Sequence, residues 1–157
     1  MEIKKLEKNE INKALKLVWD VFSESEAFNY NRKGAEEFRK FLDYRDLINT
    51  FDIYGTYDKK ELIGVIALQD GQHICFFFVK NSYQKRGLGR KLFEKVLKIT
   101  KEKEITVSAP PCSVEVMKNL GFVPTDSEQN INGIVIIPMV YERDKKEVQI
   151  LKCRDRE

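Results

Sequence analysis

The feature that most constrains this chain is a strand, a glycine turn and a helix that follow one another between residues 74 and 99. The run Ile-Cys-Phe-Phe-Phe-Val at residues 74–79 has the length and aromatic content of a buried strand. Gly87 and Gly89 then open a segment whose apolar residues have helical spacing, namely Leu88, Leu92, Phe93, Val96 and Ile99. Because a helix N-terminus carries unpaired N–H groups and a favourable dipole, the turn is predicted to bind an anion.

The spacing of the glycines limits which class of phosphate-containing ligand the turn could bind. A dinucleotide fingerprint needs a third glycine where Leu92 stands, and a P-loop needs Gly-Lys-Ser/Thr, which is absent. The pattern that fits is Gln/Arg-x-x-Gly-x-Gly/Ala, present from Gln84 to Gly89, with Lys85, Arg86 and Arg90 around it. This resembles the acetyl-CoA-binding motif of the GNAT superfamily of N-acetyltransferases. Taken alone, two glycines also suit an ordinary strand-to-helix turn.

The rest of the chain supports the resemblance. We predict a strand at residues 2–6, a helix capped by Asn9, a second helix carrying Phe38 and Phe41, strands at 51–57 and 62–69, and an Asp70-Gly71 hairpin. A strand at 104–108, a helix at 113–120 and strands from 122 and at 134–141 follow the long helix. Residues 114–122 resemble the family's helix and Gly-Phe pair, and the final turn and strand resemble those of a group of small, mostly bacterial members.

This order is that of the GNAT fold, so the resemblance implies an α/β (α+β) domain. Its central sheet would be mixed, mostly antiparallel, with about six to seven strands flanked by about four helices. We expect one domain over residues 1–157, in which the charge-rich residues 144–157 form a tail.

Composition excludes several other classes. The net charge of +3 comes from basic residues interleaved with glutamates, and no basic tract carries stacking aromatics, so no nucleic-acid partner is expected. Three dispersed cysteines and a single histidine argue against a disulfide framework or a metal site. No apolar run suits a membrane span or a signal peptide, which predicts a cytoplasmic protein without membrane contact. A monomer or a homodimer is expected.

The resemblance implies acetyl-CoA as cofactor and assigns a set of residues to it. The backbone at residues 84–90 would hold the pyrophosphate, and the end of the aromatic strand would pair with the pantetheine. Ser108 stands where many members have an asparagine at a strand end, and Ser113 and Met117 follow on the next helix. The full set is Phe77, Phe78, Val79, Gln84, Lys85, Arg86, Gly87, Leu88, Gly89, Arg90, Ser108, Ser113 and Met117.

The residues available to transfer protons differ from the pattern of the family. Met117 stands where many members have a tyrosine that protonates the leaving thiolate, and a thioether has no proton to give. A core methionine is the simpler interpretation of that residue. Cys112 precedes a helix start, which can lower a thiol pKa, although a small space-filling side chain explains it as well.

His73 is the best candidate for a general base, because imidazole titrates near neutrality. Strand alternation predicts His73, Cys75 and Phe77 on one face, and Ile74, Phe76 and Phe78 on the other. A half-buried strand histidine without a catalytic role is the alternative.

The stretch between the first two helices would border the acceptor. Carboxylates beside aromatic rings suit an amine with an apolar portion, and a solvated loop is the alternative; the residues are Phe22, Glu24, Glu26, Phe28 and Tyr30. The expected function is acetyl transfer from acetyl-CoA to a primary amine, on a small molecule or a peptide, by direct attack. The alternative is a non-catalytic acyl-CoA-binding sensor or regulatory module.

Overall fold

The computed structural model describes residues 2–25 and 31–143, so the predicted tail lies outside the described residues. One central sheet carries its strands in the order β1-β2-β3-β4-β5-β8-β6, and β7 pairs with β8 outside that row. Its strands are β1 (Ile3–Lys5), β2 (Asp52–Asp58), β3 (Glu61–Gln69), β4 (His73–Val79), β5 (Glu104–Ala109), β6 (Val123–Pro124), β7 (Gln129–Ile131) and β8 (Ile134–Glu142). All neighbouring pairs are antiparallel except β4 with β5, as predicted for a mostly antiparallel α/β sheet.

Helices cover both faces of the sheet. They are α1 (Ile11–Glu24), α2 (Arg32–Asp43), α3 (Arg45–Ile48), α4 (Leu88–Ile99) and α5 (Val114–Asn119). On one face, residues of α1 and α2 pack over Val65, Ala67 and Phe76. On the other, Leu92 and Phe93 of α4 pack with residues of β5, α5 and β8. The helix α4 therefore contacts both halves of the sheet.

The elements that sequence reasoning missed are short. Among the described residues the sheet has eight strands where six to seven were expected, because the three-residue β7 forms a hairpin with β8 through Asn132 and Gly133. The described part of the chain contains five α-helices where about four were expected, because the single turn α3 was not predicted. The prediction that Asn9 caps the first helix is wrong. Residues Lys8–Glu10 form a 3₁₀ turn, in which the Glu10 carboxylate accepts a hydrogen bond from the Glu7 backbone N–H at 2.8 Å, and α1 begins at Ile11.

A β-bulge in β4 overturns the predicted alternation. Ala67 of β3 pairs with Phe76 and Leu68 pairs with Ile74, so Cys75 has no partner in the register. As a result Cys75 and Phe76 both pack toward α1. Ile74 packs on the α4 side together with Phe77, whereas Phe78 packs on the α1 side.

The N-terminus of α2 contacts the β7–β8 turn through two glycines. A Cβ built on Gly34 would lie 2.3 Å from the carbonyl oxygen of Gly133, and one built on Gly133 would lie 2.8 Å from the backbone nitrogen of Gly34. Asn31 caps this helix, since its Oδ1 accepts the Gly34 N–H at 2.8 Å. The two backbones touch directly, which joins α2 to the half of the sheet that contains β5 and β8.

Candidate active site

The two parallel strands separate soon after they meet. β4 pairs with β5 only at His73 with Thr106 and at Ile74 with Val107, although both strands continue beyond these pairs. From Phe76 to Val79, β4 is paired with β3 on one side only, so its other backbone edge faces the opening toward β5. A cleft between two strands is thus built into the sheet, and its closed end lies at His73.

The helix α4 begins at the wide end of this cleft. Gly87 caps it in a left-handed conformation (φ +82°) without any side-chain cap, and its carbonyl accepts the first helical bond from the Lys91 N–H at 3.1 Å. The N–H groups of the first turn therefore have no intrahelical partner. A Cβ on Gly87 would meet no atom within 4 Å, so the space over the turn is open. Residues 84–90, called the cradle from here on, are the segment for which the sequence predicts an anion site.

Three cradle side chains make contacts within the protein that stabilise the loop and the start of α4. The Gln84 amide donates to the Val79 carbonyl at 2.9 Å and to Asn81 Oδ1 at 3.0 Å, which ties the loop to the end of β4. Leu88 is buried in the core beneath the turn. The Arg90 guanidinium donates to the carbonyl of Asn119 at 2.9 Å and so connects α4 to the end of α5.

The remaining cradle residues, Lys85, Arg86 and Gly89, lie around the open turn. Lys85 adopts a left-handed conformation (φ +64°), which is uncommon for a residue with a Cβ and is found at functional loops. Gly89 lies over the ring of Phe77, since a Cβ there would be 3.6 Å from that ring. The side chain of Phe77 thus supports the helix start, and Val79 packs on the same side.

On the β5 side the predicted residues have different environments. Ser108 is exposed at the end of β5, next to the cleft. Cys112 and Ser113 lie in the 3₁₀ turn before α5, where the exposed thiol is 3.9 Å from the serine hydroxyl. Met117 is only 4% exposed and belongs to the core cluster with Phe93, which supports the interpretation of a core methionine.

His73 lies where the two strands are still paired. Its Nδ1 is 2.8 Å from the hydroxyl oxygen of Thr106, the residue opposite it in β5. Burial lowers the pKa of His73 below its ordinary value of 6.5, so the imidazole is neutral at pH 7. Burial also raises the pKa of the neighbouring Cys75 thiol to about 12, which leaves no thiolate at neutral pH. At neutral pH the neutral imidazole can therefore accept a proton, whereas the protonated Cys75 thiol cannot.

The residues predicted to border the acceptor are described in part. Phe22 is buried and its ring lies 4.5 Å from that of Phe38, which in turn lies 6.2 Å from Phe78. Glu24, at the exposed end of α1, accepts a hydrogen bond from the Asn81 amide at 3.3 Å. Glu26, Phe28 and Tyr30 lie outside the described residues. Phe22 and Glu24 thus lie on the α1 face, and Glu24 touches the loop that leads into the cradle.

Sequence reasoning missed three residues around the cleft. Thr106 orients His73, Asn81 joins Glu24 to the loop, and Tyr83 hydrogen bonds through its hydroxyl to the carboxylate of Asp58 on the β2–β3 hairpin. Each interaction connects residues that are distant in sequence, so no local sequence pattern predicts it. The only sequence signal among the three is the position of Tyr83, which directly precedes Gln84 of the glycine motif.

The comparisons with known proteins agree with this geometry. A family model described as an acetyltransferase (GNAT) domain matches residues 26–143. The chain belongs to the GNAT acetyltransferases. This GNAT protein is accordingly an acyltransferase, and its acceptor is not specified by the family. Curated proteins give no significant match.

Solved structures show the same fold at low identity. A GCN5-related N-acetyltransferase from Rhodopseudomonas palustris superposes with a TM-score of 0.79 at 16% identity, over 90% of this chain and 95% of that one. The PaiA N-acetyltransferase from Thermoplasma acidophilum, in complex with coenzyme A, gives a TM-score of 0.72 at 18% identity, over 90% and 98%. A ribosomal-protein-alanine N-acetyltransferase from Brucella melitensis gives 0.65 at 12% identity, over 91% and 100%. The predicted fold and family are confirmed.

None of the helices described is both long and apolar enough to cross a membrane. No group of three metal-ligating side chains occurs within residues 2–25 and 31–143.

Proposed function

We propose that this GNAT protein transfers the acetyl group of acetyl-CoA to a primary amine, on a small molecule or a peptide, by direct attack. The observation that carries the proposal is the cleft between β4 and β5, with a glycine-capped helix start at its wide end. Acetyl-CoA, when bound, supplies a thioester whose acyl carbon the amine nitrogen attacks, while the CoA sulfur leaves. A cytoplasmic location and a monomeric or homodimeric state stay predictions from the sequence.

The residues present fit this cofactor. The unpaired N–H groups of the first turn of α4, the open space over Gly87 and the nearby cations Lys85 and Arg86 suit a pyrophosphate. The free backbone edge of residues 76–79 offers donors and acceptors to an extended molecule that carries amides, as pantetheine does. A backbone N–H on this edge would also stabilise negative charge on the thioester oxygen.

His73 is proposed to receive the proton that the acceptor amine loses. A neutral imidazole has one protonated nitrogen, so Nε2 can accept a proton only when the Nδ1–H donates to the hydroxyl oxygen of Thr106. A hydroxyl can accept as well as donate a hydrogen bond, so Thr106 is compatible with this tautomer and would hold the ring in place. Cys112 and Ser108 are exposed on the other side of the cleft, but only the position of Cys112 before α5 supports a role as proton donor.

The acceptor is proposed to carry an apolar portion beside its amine. The rings of Phe38 and Phe78 on the α1 face, supported by Phe22, favour apolar contact, and the Glu24 carboxylate attracts an ammonium group. The structural neighbour from Brucella melitensis is described as acting on an alanine of a ribosomal protein, but 12% identity does not transfer that acceptor.

The first test is acetyl transfer from acetyl-CoA to a pool of aliphatic, aromatic and peptide amines, with products identified by mass spectrometry. We expect acetylated products enriched in amines with apolar substituents. Turnover only on highly polar amines would contradict the acceptor hypothesis. Absence of any product, despite confirmed CoA binding, would favour the alternative of a non-catalytic acyl-CoA-binding module, which the buried Met117 at the usual acid position supports.

The second test addresses the cradle with a matched pair of variants. Gly89→Asp places a carboxylate in the first turn of α4 and should abolish CoA binding, because like charges repel the pyrophosphate. Gly89→Ala adds only a methyl group at an ordinary contact distance of 3.6 Å from Phe77, and it should bind CoA as the wild type does. Equal affinities of both variants would show that the cradle assignment is wrong.

A further inference from the structure

We propose that Tyr83 and Asp58 are positioning residues that hold the Arg86 guanidinium at the cradle, and that this arrangement strengthens the binding of CoA through its phosphates. The inference rests on the cofactor proposed above. It assigns a role in cofactor binding to Asp58, a residue of the β2–β3 hairpin that is distant from the cradle in sequence.

The three side chains form a continuous chain of contacts. Tyr83 ends the 3₁₀ turn between β4 and α4, and its hydroxyl donates a hydrogen bond to the Asp58 carboxylate at the end of β2. The Arg86 guanidinium carbon lies 5.2 Å from the centroid of the Tyr83 ring. Arg86 directly precedes Gly87, the residue that caps α4, so the guanidinium over the Tyr83 ring lies close in sequence to the open helix start.

The mode of contact leaves Arg86 free to bind an anion. A cation–π contact attracts the guanidinium to the face of the ring without taking up its N–H groups in hydrogen bonds. Among the described residues no acceptor lies within hydrogen-bonding distance of Arg86, whereas Arg90 is bound to the Asn119 carbonyl. Arg86 is therefore the cradle guanidinium that is both oriented and available for a bidentate contact with a phosphate.

Asp58 acts on this contact through Tyr83. A phenol that donates to a carboxylate is polarised, which increases the negative charge of its ring face and the attraction for a cation. The hydrogen bond to Asp58 raises the pKa of Tyr83, so the phenol remains a donor at neutral pH. The same bond fixes the ring, and the ring in turn limits the rotamers of a long side chain that would otherwise lose this freedom on binding.

The experiment measures CoA affinity by calorimetry in Tyr83→Phe, Asp58→Asn and Arg86→Ala, alone and combined. Tyr83→Phe keeps the ring and loses its hydrogen bond to Asp58, so we expect the Kd for CoA to rise by roughly twofold and by no more than about fivefold, the effect of losing a whole exposed cation–π contact. Asp58→Asn should give a similar rise. In the Arg86→Ala background both effects should disappear, because the group that they position is gone.

Tyr57→Phe is the matched control. The Tyr57 hydroxyl donates to the Glu10 carboxylate at 3.0 Å and the Lys4 ammonium lies 5.2 Å from its ring centroid, so the same type of network occurs away from the cradle. Its loss should leave the Kd for CoA unchanged. Pantetheine, which lacks the phosphates, is the second control ligand, and its affinity should be the same in Tyr83→Phe and in the wild type.

Three results would overturn the inference. They are an unchanged Kd for CoA in both Tyr83→Phe and Asp58→Asn, an equal rise in the Arg86→Ala background, or an equal rise for pantetheine. The latter two would assign Tyr83 a general role in loop structure. If the wild-type chain did not bind CoA at all, the cofactor assignment itself would fail, which is a distinguishable result.

Discussion

Gly34→Ala provides a sharp test of the backbone contact between α2 and the β7–β8 turn. Gly34 lies in the first turn of α2, where helix propensity alone predicts that alanine stabilises the protein by up to about 1 kcal/mol. The structure predicts that alanine instead destabilises the protein. The added Cβ would lie 2.3 Å from the Gly133 carbonyl oxygen and 2.9 Å from its carbonyl carbon. Both atoms belong to the backbone and cannot rotate away as a side chain could.

The expected magnitude follows from these two opposing terms. Overpacking costs about 1–3 kcal/mol, and the upper part of that range applies because the obstacle is rigid. After the gain in helix propensity is subtracted, we expect the free energy of unfolding to fall by about 2 kcal/mol. For a chain of this length each kcal/mol corresponds to about 2–4 °C in Tm, so Tm should fall by about 4–8 °C.

The assay is thermal and urea unfolding followed by circular dichroism, with Gly89→Ala as the matched control. Gly89 also lies in the first turn of a helix, but its added Cβ would make only an ordinary 3.6 Å contact with Phe77. This control should be as stable as the wild type or slightly more so. A Tm for Gly34→Ala equal to or above that of the wild type would refute the close contact.

Four further predictions concern titratable and buried groups. Because burial lowers the pKa of His73 below 6.5, the unfolded chain binds a proton first as the pH falls; the free energy of unfolding should therefore decrease below about pH 6.5, and His73→Gln should remove this dependence in urea titrations between pH 5 and 8. His73→Gln should also lower kcat by about 100-fold, measured with the best amine from the pool, and an unchanged kcat would exclude it as the base. Arg143, which is 7% exposed, donates to the carbonyls of Leu97, Thr100 and Glu102 at 2.6, 2.6 and 3.1 Å; Arg143→Ala should cost about 3 kcal/mol in urea unfolding, and a loss below about 1 kcal/mol would contradict this role. At pH 8 the native protein should be alkylated at the exposed Cys112 and not at Cys75, as peptide mapping would show, because burial raises the pKa of Cys75 to about 12.

The sequence predicted most of the fold because its signals are local. The aromatic run of β4, the glycines before α4 and the helical spacing after them are all properties of neighbouring residues, and the structure contains these elements where expected. The single turn α3 and the three-residue β7 were missed because such short elements depend on packing and pairing rather than on their own periodicity.

The site was predicted less completely, for a related reason. The bulge at Cys75 is set by the register with β3, which shifts between Ala67 and Leu68, and nothing in the sequence of β4 alone marks it. The shift places Phe77 on the same face as Ile74, whereas strand alternation predicted that Phe77 would share a face with Cys75. Likewise the contact of His73 with Thr106 joins residues that are 33 positions apart, and it forms only once the two strands pair.

The separation of β4 from β5 gives this sheet an edge in its interior. An unpaired strand edge on a protein's rim can recruit another chain and cause aggregation. Here the free edge of residues 76–79 lies between β3 and the neighbouring β5, and helices pack on both faces of the sheet. Because β5 is the next strand of the same sheet, a second polypeptide could not extend the sheet from this edge as it could from an outer one. The same local loss of pairing therefore leaves unpaired backbone groups inside the sheet without creating another outer edge.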